Sequence, residues 1–481
     1  MNDYHLYLDL VSLDETENNS EKNNQIFLLS AAEQLQKKSL NPILTQKIET
    51  AFQEKKDRVI SYVGDTQNFL INLTSTDVEK NRTLGIALYK ALSKENVETS
   101  QLQGLKNLSS EQRKAFLEGL VLGSYHFGSY LKKQDKKKLR VDVPSNEFSE
   151  ARVDEVLQVA KAVALTRTLV NEPPNKLDSV MFSERIIQAG KECGFETETL
   201  HKEEIEKLGM GGLLGVNQGS DVPPTFNIMT YKPKNAVNTS PLVLVGKGVT
   251  FDTGGYSLKV GGSMSTMKAD MGGGATVVGI MAAIALNQLP YHVIGIVPAT
   301  DNKIDGKALL VDDVITMMDG TTVEIQNTDA EGRLILADAL TYAKRYNPDL
   351  VIDIATLTGA AAAITGSFGI AMAGNQKEKM NSLKKSGDAT YERLIQLPFW
   401  KEYGDLLKSE VADLKNIGGP VGGATTAGKF LEHFTDYDWV HLDIAGPAFL
   451  KEAKGSLPSG GTGIGVRLVY DYVQNQISNK T

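Results

Sequence analysis

One cysteine, Cys193, is all that 481 residues contain. Intrachain disulfides are therefore impossible, and no cysteine cluster can hold a metal. The six histidines (His5, His126, His201, His292, His433 and His441) all stand outside the charged motifs at 245–276 and 327–334 described below, so a histidine-rich zinc site is not expected. No run approaches the ~18 uninterrupted apolar residues that a membrane span needs. The first ten residues, Met1-Asn-Asp-Tyr-His-Leu-Tyr-Leu-Asp-Leu10, lack a basic stretch followed by an apolar core. A secretory signal is not expected, and the cytoplasm is the simplest address. Positive charge is in deficit, with a net charge of −8, which argues against nucleic acid as the default partner. Serine-hydrolase chemistry is disfavoured too, because no GxSxG elbow occurs and Ser263 in Gly261-Gly-Ser-Met-Ser265 lacks the following glycine. Gly246-Lys-Gly248 completes neither a GxxxxGK[ST] phosphate loop nor a dinucleotide fingerprint, since Phe251 stands where a third glycine would be.

What is present is ordinary for a globular protein, with 41% hydrophobic and 23% charged residues. The length exceeds one core and predicts two to three domains. Over the first 140 residues, strand-like runs at Leu6–Leu13, Gln25–Leu29, Arg58–Val63 and Phe69–Leu73 alternate with helical patterns at Val78–Leu92 and Ser110–Leu131. The basic run Lys132–Arg140 reads as a solvated lead-in to a strand, with nucleic-acid binding as the sharper alternative. Helical spacing from Glu150 to Val170 ends at Asn171-Glu-Pro-Pro-Asn175, where paired prolines stop it. A helix of about 20 residues spans roughly 30 Å and could join two domains. Beyond it, strands at Pro241–Val245, Val293–Val297 and Leu350–Ile354 alternate with helices at Thr276–Leu286 and Ile335–Arg345. The expected architecture is α/β: a small N-terminal α/β domain over residues 1–148, a linker helix over 149–172, and a larger α/β domain over 173–481 with a mostly parallel central sheet.

The densest chemistry lies in Asn327-Thr-Asp-Ala-Glu-Gly-Arg-Leu334, where Asp329, Glu331 and Arg333 alternate between the apolar segments Val323–Ile325 and Leu334–Leu336. In an extended chain residues i, i+2 and i+4 point the same way, so two carboxylates and a guanidinium would converge. Alone, the triplet also admits the blander reading of an Arg–carboxylate ion pair capping the following helix. Upstream, however, Lys247, Asp252, Lys259 and Asp270 stand among glycines in 245–259 and 267–276. Four carboxylates brought together need cations, and two divalent metals would balance them if one lysine ligates as a neutral amine.

These residues resemble the leucyl aminopeptidase family, the M17 metallopeptidases, whose signature is the octet NTDAEGRL. The register of the upstream ligands agrees as well: five residues from Lys247 to Asp252, seven to Lys259 and eleven to Asp270. Similarity continues through Asp353-Ile-Ala-Thr-Leu-Thr-Gly-Ala360, Trp439-Val-His-Leu-Asp-Ile-Ala-Gly446 and Gly461-Thr-Gly-Ile-Gly-Val-Arg467, covering most of 165–470. Leu310-Val-Asp-Asp313, Asp301-Asn-Lys303 and Gly274 depart from common family patterns and mark a divergent branch.

The resemblance implies a metal-dependent aminopeptidase that removes N-terminal residues, leucine-type and others, from peptides including dipeptides, using a water activated by two metals. It implies that Lys247, Asp252, Asp270 and Glu331 bind the tighter metal, and that Asp252, Asp329 and Glu331 bind the more exchangeable one. Zinc, manganese and cobalt all suit such carboxylate-rich ligation. Lys259 would polarise the substrate carbonyl or its oxyanion, and Arg333 would hold a bicarbonate acting as general base. Met267, Thr356, Gly359 and Ala445 would line the pocket for the first side chain. Family resemblance further implies a homohexamer. The alternative, a DNA-binding or regulatory protein on a peptidase scaffold, has only the lysine run at 132–140 in its favour.

Overall fold

The structure, a computed structural model, describes residues 5–13, 24–29, 42–54, 57–63, 67–72, 75–132 and 137–480. The chain forms two units: Met1–Ala164 with Ala453–Leu457, and Leu165–Glu452 with Pro458–Thr481. The division falls inside the helix Glu150–Asn171.

In the first unit six strands pair in the order Leu8–Leu13, Leu139–Pro144, Thr99–Gln103, Asn24–Leu29, Gln67–Asn72 and Arg58–Val63. All neighbours are parallel except the last two. Helices Val78–Lys94 and Ser110–Gly123 start where a side chain can satisfy the free backbone donors: Asp77 accepts from Glu79 N–H at 2.9 Å, and Ser109 forms a reciprocal box with Gln112. Between them the buried Arg82 guanidinium pairs with Glu118 at 3.0 Å and with Glu79. The second helix ends at Gly123, eight residues before the predicted Leu131. There the Ser124 hydroxyl donates to Val121 O at 2.7 Å, and Tyr125 and Phe127 continue the apolar pattern by packing on the same core from irregular chain. Leu73 and residues 133–136 lie outside the described residues. Of the basic run, Lys137, Lys138 and Arg140 each face an acid, Glu98, Asp9 and Asp142 respectively.

The second unit is built on nine strands. Eight follow the order Leu394–Gln396, Ile370–Gly374, Trp439–Asp443, Leu350–Ala355, Leu242–Gly246, Val293–Asn302, Thr225–Tyr231 and Glu196–Leu200, and Gly248–Asp252 also pairs with Val293–Asn302. Pairing is parallel throughout the centre and antiparallel where Ile370–Gly374, Thr225–Tyr231 and Glu196–Leu200 are added. The central strands are buried along their whole length, as their largely apolar sequences require of a sheet covered on both faces. Helix Gly332–Ala343 sets Leu334, Ile335, Leu336 and Leu340 against Val243, Val245, Ile294 and Ile296. Each such buried aliphatic side chain contributes about 1.5–3 kcal/mol. The window Met267–Leu286 is apolar enough to cross a membrane, but 94% of it lies inside the fold, and Gly272–Leu286 is a core helix. Strands Leu242–Gly246, Gly248–Asp252, Leu350–Ala355 and Trp439–Asp443 release the chain at their carboxyl ends, the edge where open α/β sheets collect functional groups.

Candidate metal centre

Lys247 follows Leu242–Gly246 directly, and its N–H donates to Ile354 O at 3.1 Å, which carries it along the neighbouring strand. Asp252 closes the next strand opposite Asn302. Asp270 sits in the 3-10 turn Met267–Met271 that feeds the buried helix. Asp329 and Glu331 arrive from the loop before helix Gly332–Ala343. The extended conformation expected for 329–333 is not what brings the triplet in. Asn327 forms a turn instead: its carbonyl accepts from Ala330 N–H at 3.2 Å and its side chain from Asp329 N–H at 2.8 Å. Glu331 is then already helical, with φ −78° and ψ −37°, and Arg333 belongs to the first helical turn. Turn and helix start converge the carboxylates that a pleat was expected to align.

The side chains meet closely. Lys247 Nζ is 2.8 Å from both Asp270 Oδ2 and Glu331 Oε1. Lys259 Nζ is 2.7 Å from Asp252 Oδ2 and 2.5 Å from Asp329 Oδ1. One oxygen from each of Asp252, Asp329 and Glu331 lies within 4.8 Å of the others. Lys247 can lie this low because residue 332 is glycine; a Cβ there would come within 2.7 Å of its Cδ, Cε and Nζ. Asp252 is oriented through its other oxygen, Oδ1, which accepts from Gly254 N–H at 2.8 Å and Asn302 Nδ2 at 2.9 Å. Only Oδ2 is left to face the cluster.

Four carboxylates confront two lysines and Arg333, so the cluster is short of one positive charge. Burial raises the carboxyl pKa values of Asp270, Asp329 and Glu331, and the neighbouring Asp252 adds to it; Glu331 is pushed up to about 8. Burial opposes the charge on Lys247 and Lys259, yet the carboxylates around them prevail and hold both above the ordinary lysine range. Asp270 Oδ2, Asp329 Oδ1 and Glu331 Oε1 each contact a lysine nitrogen but receive no correctly directed hydrogen bond. Buried anionic oxygens of that kind suit a cation that needs no directed proton, and hard oxygen donors beside one amine are a fitting set for divalent metals.

Arg333 takes the carbonyl of Asn416 as its partner, with Nη1 to O at 2.7 Å, while its buried Nε has none among the described residues. Burial lowers its pKa to about 10. Thr356, read from the sequence as pocket wall, also touches the charged cluster: its hydroxyl reaches Asp270 and its carbonyl accepts from Lys247 Nζ at 3.1 Å. Met267 opens the 3-10 turn and is half-buried, and Gly359 starts helix Gly359–Thr365 with open space around it. Ala445 donates its N–H to Asp443 Oδ1 at 3.1 Å. Asp443, not singled out by sequence reasoning, also accepts from Leu357 N–H at 3.1 Å and from the Thr358 hydroxyl at 2.8 Å, fastening the loop after one strand to the loop after the next. A carboxylate ending the apolar strand Trp439–Asp443 was the signal for it. Asn302 and Thr328 were likewise missed.

Three comparisons with known proteins bear on this arrangement. The catalytic-domain model of the cytosol aminopeptidase family matches residues 164–470. A probable cytosol aminopeptidase of Chlorobium limicola is 46% identical over 377 residues, covering 75% of this chain and 74% of that protein. A second, from Chloroherpeton thalassium, is 51% identical over 320 residues, 66% of this chain and 62% of its own. Among solved structures, the bottromycin maturation enzyme BotP in complex with Mn superposes with a TM-score of 0.84 at 31% identity, covering 94% of this chain and 99% of that one.

Proposed function

Because the chain belongs to the cytosol aminopeptidase family, and so is a metal-dependent aminopeptidase, we propose that it releases leucine-type and other N-terminal residues from peptides and dipeptides with two divalent ions at the Lys247–Glu331 cluster. Lys247, Asp252, Asp270 and Glu331 would hold one ion, and Asp252, Asp329 and Glu331 the more exchangeable one. Zinc, manganese and cobalt all match these donors, and a structural neighbour at 31% identity contains Mn. The observation carrying the proposal is the convergence of Asp252, Asp329 and Glu331 within 4.8 Å, with buried oxygens that lack directed donors.

When bound there, divalent metal supplies Lewis acidity, lowering the pKa of water toward neutrality and polarising a carbonyl. The chain's own groups do the rest. Lys247 can ligate only as a neutral amine, so ligation requires release of the proton that its carboxylates favour. Lys259 is held as a cation by Asp252 and Asp329, which suits it to donate to the substrate oxyanion and unsuits it as a base. Arg333, whose buried Nε has no partner among the described residues, would hold a bicarbonate assigned as the general base. Met267, Thr356, Gly359 and Ala445 would face the first side chain of the substrate. A homohexamer acting on peptides completes the proposal, with the cytoplasm as its address in keeping with the names of the relatives.

The decisive experiment is hydrolysis of leucine amide and a panel of amino-acid amides, with Mn²⁺, Zn²⁺ or Co²⁺ added, before and after exhaustive chelation. Activity should vanish with chelation and return with metal. Full activity in chelated protein would end the proposal.

A further inference from the structure

Lys259 reaches the cluster from a loop with little secondary structure of its own. Its N–H donates to Thr253 O at 2.9 Å, closing the loop on itself, and Gly254 and Gly255 take left-handed φ values of +87° and +61°. The position of this loop is set from outside, by Thr328. The Thr328 hydroxyl donates to Gly254 O at 2.6 Å and accepts from Ser257 N–H at 2.8 Å. In return the Ser257 hydroxyl accepts from Thr328 N–H at 3.1 Å. The Thr328 carbonyl accepts from Asn302 Nδ2 at 3.0 Å, the same amide that orients Asp252. Every polar atom of Thr328 is thus engaged, and the residue is 3% exposed.

The consequence is geometric. Lys259 lies two residues beyond Ser257, and Asp329 one residue beyond Thr328, so a reciprocal pair of hydrogen bonds fixes the two segments whose side chains meet at Lys259 Nζ–Asp329 Oδ1. Seventy-one residues of sequence separate Ser257 from Thr328, and no strand pairing joins them there. The geometry points to Thr328 as a positioning residue for Lys259: its hydroxyl clasps the Gly254–Ser257 turn so that the ammonium meets the developing oxyanion rather than sampling solvent. Displacing a catalytic group by ~1 Å can lower rate by roughly 10²-fold.

This inference rests on the role proposed above for Lys259, and the experiment separates the two. Thr328→Ser keeps the donor and acceptor, Thr328→Val keeps the shape and removes both, and Lys259→Met removes the ammonium. With leucine amide and saturating Mn²⁺, Thr328→Val should lose roughly 10–100-fold in kcat with KM changed less than about threefold, and Thr328→Ser should stay close to wild type. Thr328→Val should add nothing further in the Lys259→Met background. Independently of activity, amide hydrogen exchange over 254–259 in chelated protein should quicken in Thr328→Val and not in Thr328→Ser. Should Thr328→Val not fold, Ser257→Ala removes one hydrogen bond of the pair, and a smaller kcat loss with the same lack of additivity is expected. A normal kcat in Lys259→Met defeats the role of Lys259 itself. A crippled Lys259→Met beside a normal Thr328→Val, additive losses in the double variant, failure of Thr328→Ser to rescue, or unchanged exchange would each overturn the positioning role.

Discussion

The hydroxyl of Thr356 lies 3.0 Å from Asp270 Oδ1 and 2.8 Å from Asp270 O, sharing its one proton between them. Its own carbonyl accepts Lys247 Nζ at 3.1 Å. One residue therefore orients two of the proposed ligands, a role that outer hydrogen bonds perform around many metal sites. Thr356→Val, equal in shape, should weaken the tighter metal by about 10–100-fold, and Thr356→Ser should preserve it. Competition against a fluorescent chelator measures this directly. Metal affinity unchanged in Thr356→Val would refute this orienting role and leave only the pocket role.

Glu331 is the group on which the cluster depends most. It is 2% exposed, it contacts Lys247, and Asp252 beside it helps burial push its carboxyl up to about 8. Glu331→Ala should reduce kcat by about three orders of magnitude or more, the upper range for losing one well-placed electrostatic group. The fold should persist, since Lys247 keeps its pairing with Asp270 at 2.8 Å and the removal of Glu331 relieves carboxylate crowding. Circular dichroism like that of the parent, with a thermal midpoint lowered only by the lost Lys247 partner, would accompany the loss. Turnover near normal would show that the shared ligand has been misassigned.

The charged residues of the centre were legible because carboxylates and lysines spaced among glycines are hard to explain by folding alone. The central strands were legible for the opposite reason: runs such as Leu242-Val-Leu-Val are buried on both faces and admit little else. What escaped was set by tertiary distance. Asp443 reaches Leu357 across 86 residues and Thr328 reaches Gly254 across 74, and neither partnership has a local pattern. The path of the chain at 327–331 also escaped, because alternation suggested a pleat while the Asn327 side chain made a turn. Similarly, apolar residues at Tyr125 and Phe127 extended a helical pattern that the Ser124 hydroxyl had already ended.

Quaternary structure offers a prediction independent of catalysis. In the second unit Val260, Trp400, Val411, Val421 and Phe368 are each more than 60% exposed, and an assembly of copies would give such side chains a place out of water. With a chain mass of 52.3 kDa, a homohexamer would give six times that value by light scattering at micromolar concentration. Val421→Glu with Trp400→Glu should lower the mass if these side chains are covered by other copies. A monomer mass for the parent protein would refute the assembly.

His441 and Asp353 supply the pH dependence. Within the buried core of the second unit, Nδ1 of His441 lies 2.6 Å from Asp353 Oδ1, while Trp439 Nε1 donates to Asp353 Oδ2 at 2.7 Å. Burial alone would lower the imidazole pKa, but the Asp353 carboxylate outweighs it, so the folded value stands above the 6.5 of the free side chain. Between those two values the folded protein binds a proton that the unfolded chain does not. The sign follows from linkage: the contribution to stability is complete below pH 6.5 and is lost as pH rises through the folded value. His441→Asn keeps a donor for Asp353 but cannot carry charge. It will cost some stability at every pH through the smaller side chain, so the informative quantity is the difference between parent and variant as pH changes. Thermal midpoints taken from pH 6 to pH 9.5 should show that difference shrinking as pH rises. A constant difference would mean the pair is a neutral hydrogen bond throughout, and a growing one would mean that burial, not Asp353, governs the imidazole.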